Sequence, residues 1–465
     1  MKIKLMKKLC LLGVIVCMCF VNVGCINTSS NNYDVDFFVE KFEMLDTFNQ
    51  IASDFQKQTG YKVKVESPSN PATIINDRVR NDIAPDIFQV YPGQTAYNIF
   101  LNEGKLKDIT DLSALNKIDK TALNMYGVKD KSGKEHYYTI PFSFSAEAFY
   151  YNATLFHKYG YDKPELYGKT EKDVDKNGDY LPKTWDDMKR LAVKVLADKK
   201  IGVNNLSLFN LSGSDPYLIH GLHEALWQQV LEGTANTNKY FLNSPKGQVG
   251  KYELTVNGKK LSTMESNGYD SAFNKVSDIL TFVANNSQNN YGTAKAADAI
   301  TSLVKEQGLI FPAGTFSLPL IRQANPKDSI RTMAFPGTTA NNQTIISTAD
   351  LSLSVSKNPK NMKAVTAFLA YLTKSSVYQK YYNVDGNKTT VKGIQTAGKT
   401  PELQGITNLF MDSKHHVPWI HQYWKQGETQ IQTLTIDFLK TKSKSNLYNS
   451  LNQYFDVEKQ MSNEN

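Results

Sequence analysis

Val35-Asp36-Phe37-Phe38-Val39 opens the stretch that decides the fold of this 465-residue chain. A short apolar run of this kind predicts a buried strand. Met44, Phe48, Ile51, Ala52 and Phe55 then recur at helical spacing, and Gly60 marks the stop. Tyr61-Lys62-Val63-Lys64-Val65 alternates and predicts a second strand. Pro85-Asp86-Ile87-Phe88-Gln89-Val90-Tyr91 predicts a third, closed by Pro92-Gly93. Strand, helix, strand, helix, strand implies right-handed crossovers and a mostly parallel sheet covered by helices, an α/β protein. Ligands of such sheets bind beyond the carboxyl ends of the strands. Tyr91 stands at one of those ends.

Further along, Gly104-Lys105-Leu106 leaves a helix, and Ala148-Phe149-Tyr150-Tyr151-Asn152 predicts another strand. Pro182-Lys183-Thr184-Trp185-Asp186-Asp187 opens a helix with Thr184 as N-cap and Asp187 at the third position, close to a capping box. Met188, Leu191, Ala192 and Val195 are its apolar stripe. A helix is expected from Asn358-Pro359, with Met362, Val365, Phe368, Leu369 and Leu372 inward. Residues 383–398 read as a loop and the chain beyond Asp456 as a polar, frayed tail.

Composition narrows the function. Hydrophobic residues are 41% and charged residues 21%, ordinary for a soluble chain long enough for two lobes. The four cysteines, Cys10, Cys17, Cys19 and Cys25, all precede the body, which excludes a disulfide scaffold, a thiolate metal site and a cysteine nucleophile there. The net charge is +8, but Lys2, Lys4, Lys7 and Lys8 carry part of it, so the body is only about +4 and has no nucleic-acid or polybasic signature. His223-Glu224 begins a zincin-like run, yet position 227 is Trp, so H-E-x-x-H is absent. Ser354-Val355-Ser356-Lys357 matches S-x-x-K without its partner motifs.

The leader carries an address. Four lysines precede an apolar run from Leu9 to Val21, too short to span a bilayer and shaped like a secretion signal. Val21-Asn22-Val23-Gly24-Cys25 resembles the lipobox of bacterial lipoproteins, in which the cysteine receives lipid. Asn22 departs from its aliphatic preference, and a plain secretory leader is the alternative. The Asn- and Ser-rich stretch that follows reads as a tether.

Taken in order, these motifs resemble the family 1 extracellular solute-binding proteins, the maltose- and oligosaccharide-binding receptors of ABC importers. The match rests on the helix 44–58 with Thr59-Gly60-Tyr61-Lys62-Val63, on Ala84-Pro85-Asp86-Ile87-Phe88, and on Ile140-Pro141 followed by Phe149-Tyr150-Tyr151-Asn152. It continues through Pro182-Lys183-Thr184-Trp185, Leu309–Phe316 and Ser347–Ser356. The resemblance implies a two-lobe, type II periplasmic-binding-protein-like fold with a hinge and the solute in the cleft. The expected parts are a signal peptide 1–24, a lipid-anchored tether 25–34, an N-terminal lobe of 35–143 plus 345–405, a C-terminal lobe of 144–344 plus 406–458, and a disordered tail 459–465. Crossings are expected near Phe142–Ala146, Ile345–Leu351 and Gly405. It also implies a membrane permease as partner, a lipid anchor on Cys25, an extracellular monomer and no catalysis.

Sugars present flat C–H faces and a rim of hydroxyls, so their sites need aromatic platforms and convergent polar groups. An unpaired buried polar group costs about 1–3 kcal/mol. By position, Tyr91, Tyr217, Phe316, Trp419 and Trp424 are the aromatic candidates. Phe316, with Thr315 beside it, falls where relatives often carry Trp, which weakens a strict sugar match. Gln89, Ser143, Ser145, Glu147 and Asp350 are the polar candidates at crossovers or strand ends. Trp185 and Trp227, on helical stripes, read as core. Polyamine, peptide and sugar-phosphate solutes stay open, as do a secreted glycan-active enzyme and an adhesin.

Asp173-Val174-Asp175-Lys176-Asn177-Gly178-Asp179 fits the opening of a D-x-D-x-N-G calcium loop. The twelfth position is Thr184 instead of Glu, so Asp186 or Asp187 would have to close the shell. The other reading is an Asp/Asn/Gly surface turn that forms without metal.

Overall fold

Val35–Phe38 is apolar enough to sit inside, and it forms an interior strand of the first sheet, second from one edge. The computed structural model describes residues 33–92, 94–174, 179–411, 415–418 and 428–463. In it Val35–Phe38 lies parallel to both Val63–Glu66 and Ile87–Gln89. Ser352–Val355 adds antiparallel to Ile87–Gln89, and Ile140–Pro141 closes the five-stranded sheet. Helix Leu45–Thr59 covers it with Phe48, Ile51, Ala52 and Phe55, and ends where Gly60 takes φ +80°. Phe55 meets Phe368 at 5.1 Å, and Phe37 meets Phe48 at 5.2 Å, both edge-on. Such pairs add about 0.5–1.5 kcal/mol to their burial.

The second sheet is built around one strand, Ser143–Asn152, whose ten residues are all buried. It starts five residues before the sequence reading placed it. Gly308–Gly314, Ile330–Met333, Ile345–Ala349 and Lys388–Thr389 all pair with it antiparallel. Glu147 is held between Gly314 and Ile346. The capping box at Thr184 and Asp187 forms as expected and starts helix Trp185–Lys200. Trp185 and Trp227 are each 3% exposed in the large core beside this sheet. Among the described residues no helix is long and apolar enough to cross a membrane.

The chain passes between the sheets at Phe142 and again at Asp350–Leu351. A later passage lies between Val391, packed in the first core, and Leu403, packed near the second sheet, close to the expected Gly405. Lys41 locks this junction. Its Nζ lies 2.6 Å from Asp350 Oδ2, 2.9 Å from Asp385 Oδ1 and 3.3 Å from Glu43 Oε1. Asp350 Oδ2 also accepts from Asn387 Nδ2 at 3.0 Å and from Ser143 Oγ at 3.3 Å. Burial pulls the Lys41 pKa down, but Asp350 and Asp385, with Tyr381 and Glu43, outweigh it and hold the pKa well above the usual lysine value.

Three sequence expectations need correction. The helix expected from Asn358-Pro359 begins at Met362, capped by Asn361, while the Lys360 N–H just before it donates to Asp86 at 2.7 Å. The 383–398 stretch is not all loop: helix Ser375–Asp385 runs into it, and Lys388–Thr389 joins the second sheet. The tail is helical, in Lys444–Asn463, where Glu458 is buried and Lys459 Nζ donates to Ser244 O at 2.6 Å.

Lys41→Met leaves Asp350 and Asp385 buried beside each other without the ammonium. Breaking a buried pair in this way costs about 3–5 kcal/mol, and that is the expected loss at pH 8. Burial raises the Asp350 carboxyl to about 6. Its proton is therefore held more tightly folded than unfolded, and its favourable contribution fades as pH rises through that value. At pH 5 Asp350 is protonated, so the deficit narrows. Denaturant melts of both proteins at pH 5 and pH 8 test this, and equal deficits at the two values would refute it.

Candidate functional site

The carboxyl end of Val35–Phe38 delivers Glu40, Lys41, Phe42 and Glu43 to the edge of the first sheet. Gln89, at the end of the neighbouring strand, brackets this segment. Its Oε1 accepts from the Glu40 N–H at 2.9 Å, and its Nε2 donates to Tyr91 OH and Asp350 O, both at 2.9 Å. Gln89 is fully buried, Tyr91 and Glu40 are half-buried, and Phe42 is exposed.

The second sheet contributes the facing wall. Glu147 is buried in the long strand. Burial, then the charges of Glu428 and Glu224, pushes its carboxyl well above the usual range. The Thr315 side chain accepts from the Ala146 N–H at 2.9 Å, which pins the turn carrying Phe316 to that strand. Gly314 makes room: a Cβ there would collide with the Phe316 ring. The Phe316 and Tyr217 rings stand 6.3 Å apart, tilted by 35°. Burial, then Asp215, Glu43 and Glu147, pushes the Tyr217 hydroxyl up to about 12. Glu43 belongs to the first sheet and Glu147 to the second, so the two walls meet around Tyr217.

A direct bridge spans them. Gln94 Nε2 donates to Glu428 Oε2 at 3.3 Å, and Glu428 Oε1 lies 3.3 Å from His220 Nε2. Burial, then the charge of Glu428, raises the Glu40 carboxyl to about 8, although its Tyr91 hydrogen bond opposes this. The result is a cleft with carboxyl groups and aromatic faces on both walls.

Of the sequence candidates, Tyr91, Glu147, Tyr217 and Phe316 converge here. Gln89, Ser143 and Asp350 belong to the buried junction behind the cleft, and Thr315 supports the turn that presents Phe316. Ser145 is buried opposite Thr348 in the sheet. Trp419, Trp424 and Cys25 lie outside the described residues. So do Asp175 and Asn177 of the expected calcium loop. Asp173 Oδ2 accepts from Thr170 N at 2.9 Å, and Asp187 Oδ2 accepts from Thr184 N and Tyr180 OH at 3.1 Å, so both act as caps. The sequence reading missed Glu40, Glu43, Gln94, His220 and Glu428. The strand-end rule that selected Tyr91 selects Glu40–Glu43 equally well when applied to Val35–Phe38.

The zincin-like pair has a structural role. Trp227 Nε1 donates to His223 Nε2 at 2.9 Å, and His223 Nδ1 meets Thr435 Oγ1 at 2.8 Å. Burial lowers the His223 pKa to about 4, so the ring is neutral.

Comparison with known proteins gives a consistent picture. The profile of the bacterial extracellular solute-binding proteins matches residues 42–379. The multiple sugar-binding protein of Streptococcus mutans is 27% identical over 458 residues, covering 97% of each chain. RafE in complex with raffinose overlays with a TM-score of 0.77 at 26% identity, covering 91% of this chain and 99% of that one. The apo form of RafE from Streptococcus pneumoniae overlays at 0.70 and 26% identity, covering 91% and 97%. The two sheets, the crossings between them and the cleft they enclose are thus those of a two-lobe receptor fold, and the chain belongs to the bacterial extracellular solute-binding protein family.

Proposed function

We propose that this protein is the extracellular receptor of an ABC importer, and that it captures a sugar or oligosaccharide by closing two lobes on it and presents it to the permease. The observation that carries the reading is the convergence of Tyr91, Tyr217 and Phe316 with Glu40, Glu43 and Glu147 from both sides of one cleft. Aromatic faces suit the C–H face of a pyranose, and carboxyl groups suit its hydroxyls. The overlay on a relative in complex with raffinose supports a sugar as the solute. The proposal includes lipid attachment at Cys25, outside placement on the cell membrane, lobes near the boundaries expected from sequence, and a monomeric receptor. The family to which the chain belongs consists of binding proteins, and the proposal contains no chemical step.

An acid-lined cleft gives one competing reading, a cationic solute such as a polyamine. The raised pKa of Glu40 favours the neutral sugar, because a protonated carboxyl both donates to and accepts from a hydroxyl and adds no charge. The same lining disfavours a sugar phosphate.

A thermal-shift panel of neutral oligosaccharides including raffinose, with spermidine, a peptide and a sugar phosphate as controls, separates these readings. A true solute at one hundred times its Kd stabilises by about 2.7 kcal/mol, and Tyr217→Ala should weaken that response. A shift with spermidine and none with any carbohydrate would sink the sugar assignment.

The cleft also predicts a pH dependence. Glu40 is raised to about 8 when folded, so the folded state binds its proton more tightly than the unfolded chain does. That stabilisation is complete below the ordinary glutamate pKa of about 4.3 and is lost as pH rises through the folded value. The sugar-free protein should therefore melt lower at pH 8.5 than at pH 5.5. Glu40→Gln should flatten that slope and raise the melting temperature at pH 8.5. Parallel slopes for the two proteins would argue against the role given to Glu40.

A further inference from the structure

We propose that His157, Asp162 and Asp179 form a divalent-cation site of the zinc class, remote from the residues that line the cleft. His157 lies in the last turn of helix Ala153–Lys158, and Asp162 follows the turn at Gly160, where φ is +67°. The backbone closes the third side: the Tyr180 N–H donates to Asp162 O at 2.8 Å, which sets Asp179 beside the pair. One ligand atom from each of the three residues lies within 4.8 Å of the others.

Asp162 is the observation that points to a ligand. It is 3% exposed, and its Oδ1 is buried with no hydrogen-bond partner among the described residues. Lys163 Nζ stands 3.9 Å from that atom, beyond hydrogen-bond reach. Asp162 Oδ2 meets His157 Nδ1 at 2.9 Å. A buried carboxylate oxygen with no donor is costly, and a cation chelated by both Asp162 oxygens, the free Oδ1 and the Oδ2 beside His157, removes the cost. Tetrahedral zinc, with bonds near 2.0–2.2 Å, sets its donors roughly 3–3.5 Å apart. The His157–Asp162 pair is already close to that spacing, and a modest approach of Asp179 completes three ligands, with water as the fourth.

The donor set separates this site from a calcium loop. Calcium takes six to eight oxygens, whereas an imidazole nitrogen with carboxylates suits zinc and its neighbours. Asp179 is the one residue the two schemes share, since Asp173 and Asp187 cap Thr170 and Thr184. His157 has 72% of its side chain exposed, which leaves the metal an entry from solvent. A bound ion would clip helix Ala153–Lys158 to the segment that leads into helix Trp185–Lys200.

The test uses the mature protein with any affinity tag removed and with metal stripped by a chelator. Zinc chloride titrated by calorimetry should bind one ion per chain and raise the melting temperature. His157→Ala and Asp162→Asn should each weaken zinc affinity at least tenfold while the sugar-induced thermal shift stays unchanged. His157 is exposed, so its replacement leaves the core intact and decides the matter even where Asp162→Asn folds poorly. Zinc affinity that is undiminished in His157→Ala would overturn the proposal and move the ion elsewhere. A calcium response that survives His157→Ala and disappears in Asp175→Asn would equally overturn it, in favour of the oxygen loop.

Discussion

The buried ammonium of Lys41 is the constraint on which the rest of the structure depends. It joins Asp350, 309 positions away, to Asp385 and Glu43, and through Asp350 it reaches Ser143 and Asn387. These residues come from the segment after strand Val35–Phe38, from two passages between the sheets and from the end of helix Ser375–Asp385 and the turn after it. A charge in such a place is tolerable only when every partner is in position. Displacing one passage would leave a bare charge costing several kcal/mol, a large share of a typical stability of about 5–15 kcal/mol. The network therefore specifies how the two sheets are joined more than it adds stability.

Local patterns were legible in the sequence because they depend on neighbours along the chain. The strand–helix alternation from Val35 to Tyr91, the stop at Gly60, the box at Thr184–Asp187 and the core role of Trp185 and Trp227 all follow from spacing of a few residues. The Lys41–Asp350 bond has no local signature, so polar residues near the passages read as ligand contacts. Lys388–Thr389 is too short for periodicity to reveal, and its pairing with Ser143 and Phe144 comes from tertiary contact alone. The helix past Asp456 looks polar because one face is solvated, while Tyr454, Phe455 and Glu458 are buried on the other. Glu40 and Glu43 were readable in principle, since the rule that chose Tyr91 applies to the adjacent parallel strand.

Burial divides the polar residues of this region by task. Gln89, Ser143 and Thr315 are fully buried and have partners within the protein, as does Asp350 at 5% exposure. Such groups have little capacity left for a solute, and they set the positions of others. Glu40, Tyr91 and Phe316 are half-buried, and Tyr217 is 38% exposed, so a solute can reach them. Gln89 shows the division directly: it holds the Glu40 backbone with one atom and the Tyr91 hydroxyl with another. A change at Gln89 would thus act on recognition through two neighbours.

The same carboxyl groups give closure a physical cost that a solute can remove. Bringing Glu40 toward Glu428 takes one acid from water and sets it against another, which is why its proton is held to about pH 8. In the receptor proposed here, an empty protein closes against these terms, whereas a polyhydroxylated solute supplies the hydrogen bonds that water gave up. The solute then favours the closed state by its differential affinity, the only means by which a ligand shifts a conformational equilibrium. The Lys41 network has its partners within the protein and needs none from a solute, which separates the task of joining the sheets from the task of recognition.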